Sequence, residues 1–225
     1  MRIWAISDLY LPGGSARRRR TMEAHFGFSF DKMAETWDAL VPPDELVLIP
    51  GDISWASTAQ RAMWDLEWLA ARPGVKVVGR GDRDQWWNRW KGALPAGLHL
   101  LDGAGEFNGV SVIMIPGSPV PGSREWRQDV EKEFLDEVRK LETLIQLVMR
   151  DNKPVVVAMH WPPMVREQAS GFSNLLEAYQ IPLCLYGHLH GQDGQNGPVW
   201  KVRGVRYQLV AADNTVFAPM PLEWP

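Results

Sequence analysis

The sequence predicts an α/β fold in four layers, α-β-β-α, with two mixed β-sheets face to face and helices outside them. Three observations lead there. Short apolar runs recur along the 225 residues, at 2–6, Leu46–Ile49, Val75–Val78, Val110–Ile115, Val155–Met159 and 181–186. Their nearly continuous apolar character predicts strands covered on both faces. Between them lie stretches with apolar residues three and four apart, the mark of helices returning to a largely parallel sheet. The turn dipeptides Asn108-Gly109 and Arg203-Gly204 add antiparallel hairpins, the second joining Val199–Val202 to 205–210. No linker is long enough to divide the chain, so residues 1–225 read as one domain.

The first strand, at 2–6, leads into Asp8. The basic run Arg17 to Arg20 follows glycines and a serine and is expected to be a loop, either a solvated run or a means of capturing an anionic substrate. Met33, Trp37 and Leu40 share a helix face. The strand Leu46–Ile49 leads into Gly51-Asp52. A helix over 57–70 puts Ala62, Leu66 and Leu69 together, with Ser57 or Thr58 as its N-cap. Val75–Val78 leads into Gly81-Asp82-Arg83-Asp84, and Val110–Ile115 into a Pro/Gly-rich loop at 116–123. The longest helix, 126–150, aligns Val130, Phe134, Val138, Leu141, Ile145 and Val148, with acids early and Arg150 late. Val155–Met159 delivers His160. A short helix near 174–179 presents Leu175, Leu176 and Tyr179, and 181–186 delivers Gly187-His188-Leu189-His190.

Composition narrows the function classes. Hydrophobic residues are 45% and charged residues 23%, which excludes a disordered or fibrous chain. No apolar run approaches a membrane span. The single cysteine, Cys184, rules out a disulfide within the chain, and the first strand starts beside Met1 with no signal-peptide pattern, so a cytoplasmic setting is expected. The net charge of −3 argues against a nucleic-acid protein that works through bulk positive charge. The 12 tryptophans are unusual; Trp55, Trp86, Trp87 and Trp90 follow the polar loops and are expected mainly to pack helices, with one or two lining a cleft where a base can stack.

The chemistry lies in what ends each strand. Five runs each deliver metal-capable side chains just past their carboxyl ends, where open α/β sheets place ligands: Asp8, Asp52, Asp82, His160, and His188 with His190. Each alone is a common turn, cap or core residue; the ordered set is what points to a site. Carboxylates and imidazoles without thiolates suit manganese, iron or zinc.

Read in order, these segments are Asp8-Leu9-Tyr10, Gly51-Asp52, Gly81-Asp82-Arg83-Asp84, His160 with the following Trp-Pro-Pro, and Gly187-His188-Leu189-His190. The set resembles the calcineurin-like metallophosphoesterases, and most of all their bacterial predicted phosphohydrolases, over about residues 2–213. The family pattern is D-x-H, G-D, G-N-H-[DE], H and G-H-x-H. The resemblance implies a four-layer metallophosphoesterase fold, two metal ions bridged by an aspartate, a metal-bound hydroxide that attacks phosphorus, and a histidine that protonates the leaving group. Carried over, the first ion takes Asp8, Asp52 and His190, and the second takes Asp52, Asp82, His160 and His188.

Three positions depart from that pattern. Tyr10 replaces a histidine ligand; it either ligates as a phenolate or packs beside the cleft. Asp82 replaces a neutral amide and holds a hard cation at least as well. Arg83 replaces the leaving-group acid; it stays protonated and suits phosphate binding. Asp84 is either a catalytic acid or the ion-pair partner of Arg83. The resemblance therefore implies a phosphomonoesterase or phosphodiesterase with an altered site, using one or two divalent ions, manganese foremost, on a phosphorylated small molecule, with nucleotides among the candidates. The alternative is a relative that binds metal and a phosphorylated ligand or partner without useful turnover.

Overall fold

A computed structural model describes residues 2–151, 153–165, 168–191 and 199–222. Two sheets form. One has the order β11-β1-β2-β3-β4, from Met220–Leu222, Ile3–Ala5, Leu46–Ile49, Val75–Val78 and Leu98–Leu100. The other has the order β5-β6-β7-β8-β10-β9, from Gly103–Phe107, Val110–Ile115, Val155–Met159, Leu183–Tyr186, Val205–Leu209 and Val199–Val202. Pairing is parallel except for β1 with β11, β5 with β6 and β9 with β10.

Strict alternation along each strand builds the layers. Leu46, Leu48 and Val77 of the first sheet meet Val112, Met114, Val156 and Leu185 of the second in a closed inner core. Val47, Ile49 and Val78 face outward onto Met33 and Trp37 of α2 (Phe30–Leu40) and onto Ala62, Leu66 and Leu69 of α3 (Ala59–Ala70). Ile113, Val157 and Cys184 face the other way, onto Leu141 and Ile145 of α4 (Glu131–Val148) and Leu176 of α5 (Gly171–Ala178). This is the four-layer α/β arrangement that the sequence predicts. Both hairpin dipeptides sit at positive φ, 51° and 80° for Asn108 and Gly109, 46° and 90° for Arg203 and Gly204, as two-residue turns between twisted strands require.

The stretch from Arg17 to Arg20, expected as a loop, is instead the start of a helix, α1 (Ala16–Phe26). Ser15 caps it by accepting from Arg18 N at 3.3 Å, and Gly27 closes it at φ 67°. Arginine is a strong helix former, and only Met22 of this helix is buried, so an apolar period was nearly absent. Arg19 is held by Asp31 at 2.7 Å and Glu23 at 3.1 Å. The strands β4 and β11 were not foreseen. They are edge strands of three residues each, too short to show a period.

At the carboxyl ends the two sheets are joined. Ser7 N donates to Val210 O at 2.7 Å and Ala212 N donates to Ser7 O at 2.9 Å, so the chain leaving β1 pairs with the chain leaving β10. Asp8 N donates to Gly51 O at 3.0 Å, and Tyr10 N to Asp52 O at 3.1 Å. Loops from both sheets thus converge on one edge.

Lys76, in the middle of β3, is buried, and its ammonium group donates to the carbonyls of Ala70 (3.2 Å) and Arg72 (2.5 Å) at the end of α3. Burial, aided by the Arg72 charge, pushes its pKa down from 10.5 to about 8. Between those values the unfolded chain binds more protons than the folded one. Stability therefore rises with pH from about 8 to about 10.5. Urea midpoints measured across this range should show that rise in the wild type relative to Lys76→Met. Parallel curves for the two proteins would show that Lys76 is not the group responsible.

Candidate metal centre

Each strand end places one or two polar side chains at the shared edge, and the backbone bends sharply to do so. Asp8, Tyr10, Asp52 and His188 all have positive φ (57°, 47°, 52° and 70°), a costly region for residues with a side chain. Gly51 at φ 95° needs its bare Cα, because a Cβ there would lie 2.7 Å from Gly81 and 2.8 Å from His160 Nδ1. Gly81 is pressed against Asp52, and Gly187 against Asp8 and Ser7, in the same way. The glycines of the three motifs let the ligand loops touch one another.

His160, wholly buried, is the hub. Its Nδ1 lies 3.1 Å from Pro50 O, which fixes the ring and leaves Nε2 facing the centre. That Nε2 is 2.9 Å from Asp82 Oδ1, 3.3 Å from His188 Nδ1 and 3.6 Å from Asp52 Oδ1. His188 Nδ1 is 3.3 Å from Asp82 Oδ1, and Trp161 packs on the His188 ring with centroids 3.7 Å apart and planes tilted by 33°. Asp82, His160 and His188 form one group whose donor atoms all lie within 4.8 Å of each other; Asp8, Asp52 and His160 form another. Among the buried side-chain atoms here, Asp52 Oδ2 is left without a hydrogen-bond partner. A buried carboxylate oxygen with nothing to accept from is costly unless a cation meets it.

The sixth expected ligand, His190, turns toward Asp8 and away from the trio. Its Nδ1 is 3.0 Å from Asp213 Oδ1, while Nε2 is 2.8 Å from Tyr10 Oη and 3.3 Å from Asp8 Oδ1. It belongs to neither gathered group. Tyr10 Oη also donates to Asp8 Oδ1 at 3.3 Å. Asp213 was missed by sequence reading. It follows β10 in an ordinary Ala-Ala-Asp-Asn turn, with no motif to mark it, and it also accepts from Gly191 N at 2.9 Å.

The electrostatics follow from carboxylates crowded out of water. Burial, aided by Asp8 and Asp82 and opposed by His160, pushes the Asp52 carboxyl above its ordinary range. Burial also acts on Asp82, but its hydrogen bonds to His160 and His188 prevail and hold it well below the usual carboxylate range. For His160 burial favours the neutral ring, yet Asp52, Asp82 and Asp8 outweigh it and raise the imidazole to about 10. His190 rises to about 10 against its burial through its contacts with Asp213 and Asp8. Without a metal ion, protons on imidazoles supply the positive charge that the carboxylates demand. A divalent cation supplies it instead and releases those protons. The donor set of carboxylates and imidazoles fits such an ion at Asp82, His160 and His188, with Asp52 beside them.

A family model described as calcineurin-like phosphoesterase matches residues 1–192, most of the chain. The chain belongs to the calcineurin-like phosphoesterase family. Members are generally phosphoester hydrolases that use divalent metals. No curated protein matches it. Among solved structures it is similar to TT1561 of Thermus thermophilus, with a TM-score of 0.52 and 11% identity over 99% of this chain and 98% of that one. It is also similar to AQ665 of Aquifex aeolicus, a protein of unknown function, with a TM-score of 0.49 and 13% identity over 98% of this chain and 95% of that one. At these identities the first likeness speaks for the fold alone.

Arg83 and Asp84, the two candidate catalytic residues, part company. Arg83 N donates to Asp52 Oδ1 at 2.9 Å, while its exposed guanidinium has Nε 3.3 Å from Asp82 Oδ2. Asp84 turns inward and is buried. It accepts from Ile53 N and Ser54 N at 3.1 Å, Gly81 N at 2.9 Å and Trp86 Nε1 at 3.0 Å. Its place is therefore neither at the reacting atoms nor against Arg83. It ties the loop after β2 to the loop after β3. Burial and the Asp52 charge push its carboxyl up to about 7.

Of the tryptophans, Trp86 is fully buried on Asp84, whereas Trp55 is 44% exposed and meets Tyr10 edge-on at 6.0 Å. Trp55 O also accepts from Arg18 at 2.6 Å, which ties the basic helix α1 to the rim of the site.

Asp84→Asn should test the tie between loops. An amide places N–H groups where the carboxylate now accepts only, so at least one backbone donor loses its partner. The expected loss is about 1–3 kcal/mol of unfolding free energy in urea, accompanied by weaker metal binding. A variant of unchanged stability and unchanged metal affinity would show that the four hydrogen bonds do not hold the loops.

Proposed function

We propose that the protein hydrolyses phosphoesters of small molecules, nucleotides among them, in a metal-dependent reaction, with manganese as the ion and the cytoplasm as its setting. The observation that carries this reading is the gathered trio Asp82, His160 and His188 beside the unpartnered Asp52 oxygen, beneath an exposed arginine. A bound ion supplies Lewis acidity and an activated water. The chain's own residues do the rest. Pro50 O and Trp161 fix the two imidazoles, the Asp84 network fixes the loop that carries Asp82, and Arg83 offers a planar fork to the phosphoryl oxygens. Among the described residues, no helix is long and apolar enough to cross a membrane.

The identity of residue 83 favours a second reading. A poor leaving group needs a proton as its bond breaks, and a positioned general acid typically supplies about 10²–10⁴-fold. Arg83 holds its proton at working pH. A centre lacking that acid suits either esters whose leaving groups depart unaided or a ligand held without turnover.

A leaving-group series separates the two. With manganese bound, aryl phosphodiesters should turn over far faster than alkyl ones, and Arg83→His should narrow the gap by raising the alkyl rates by about 10²-fold, the lower end of what a general acid supplies. Parallel dependence in both proteins would remove residue 83 from leaving-group protonation. Inactivity of both across the series, with manganese bound, would leave the binding protein as the better reading.

A further inference from the structure

We propose that the centre holds a single metal ion, with the Tyr10 hydroxyl standing where the first ion of a pair would sit. The inference rests on the metal-dependent reading above and departs from the paired ions that the family pattern implies.

Three features of the geometry carry it. The first is the hub. Both gathered groups use His160, whose Nδ1 is occupied by Pro50 O. Only Nε2 is free to ligate, and a ring nitrogen has one lone pair to give. Asp82-His160-His188 and Asp8-Asp52-His160 are therefore alternatives for one ion, and they do not make sites for two.

The second is the state of the first-ion residues. Donors sharing an ion at about 2.0–2.2 Å can lie no more than about 4.4 Å apart. His190 Nε2 lies 3.3 Å from Asp8 Oδ1, but no group gathers it with both Asp8 and Asp52. Both of its nitrogens are engaged, by Asp213 and by Tyr10. Asp8 is equally occupied. Ser7 Oγ donates to its Oδ2 at 2.5 Å, His188 N approaches at 3.1 Å, and Tyr10 Oη donates to its Oδ1. The unpartnered carboxylate oxygen is on Asp52.

The third is the fixing of Tyr10. Its ring stacks on Phe26 with centroids 6.3 Å apart and planes 6° from parallel, and Trp55 closes its edge. Tyr10 N is held by Asp52 O. These contacts hold the ring, and the hydroxyl lies against both Asp8 Oδ1 and His190 Nε2, which are 3.3 Å apart.

Metal stoichiometry tests this without any assay of turnover. The full chain, stripped by a chelator, is titrated with Mn²⁺ alone. Bound manganese is then counted per chain after gel filtration, and electron paramagnetic resonance reads whether neighbouring ions couple. The wild type should bind one uncoupled ion. Tyr10→His, which restores a ligand, should double the bound manganese and show coupling. Tyr10→Phe should still bind one. Two ions on the wild type would overturn the proposal and leave metal-dependent hydrolysis standing. One ion on a folded Tyr10→His would also overturn it. No ion on the wild type would overturn this proposal and the metal reading together. If Tyr10→His fails to fold, the wild-type count still decides.

Discussion

Everything at the working edge of this protein answers to one constraint: Asp8, Asp52 and Asp82 are brought together from three strand ends, the first two buried and the third reaching solvent. Like charges so placed repel strongly, and an isolated buried carboxylate costs far more than folding can offset. The surroundings respond at each position. Asp82 receives two imidazoles, Asp8 receives a hydroxyl and a backbone N–H, and Asp52 keeps one oxygen bare. The high proton affinity of His160 is the same fact seen from the base side. A cation is the simplest group that offsets this gathered negative charge and lets the imidazoles give up their protons.

Holding the carboxylates there also sets the backbone. Four site residues sit at positive φ, and three glycines allow loops from different strands to touch. Such geometry persists only where neighbours over-determine it. Asp84 supplies much of that determination by gathering three backbone N–H groups and an indole from two loops. The Ser7 and Ala212 bonds across the two sheets supply more. Strain is thus stored next to the chemistry and offset by hydrogen bonds one layer below it.

The fold was legible because strands buried on both faces write themselves as apolar runs, and the candidate site was legible because five of the six runs ended in a ligand type. What was hidden follows physically. Helix α1 buries little, so charge masked it. Strands β4 and β11 are too short to carry a period. Asp213 acts only through His190, from a turn whose sequence has many uses. The different fates of Arg83 and Asp84 could not be read at all. Adjacent residues on a turn point in opposite directions, and only the positions of the Ile53, Ser54 and Gly81 N–H groups decide which of the two is drawn inward.

The three departures from the family pattern make electrostatic sense together. Asp213 neutralises His190 through a 3.0 Å contact, so that pair leaves the balance. The three central carboxylates carry three negative charges. One divalent ion and the Arg83 guanidinium carry three positive ones. A second ion would leave the free centre strongly positive, as suits a centre whose charge is completed by a bridging anion and a dianionic phosphate. With Tyr10 in place of an ion and Arg83 in place of a histidine, the free centre is near neutral, and a bound phosphodiester adds only one charge. The arginine supplies the one positive charge that a single divalent ion leaves wanting against three carboxylates, and that charge is directional, always present and exposed. The ability to donate a proton is what that exchange gives up, and it ties the substitution at residue 83 to the one at residue 10.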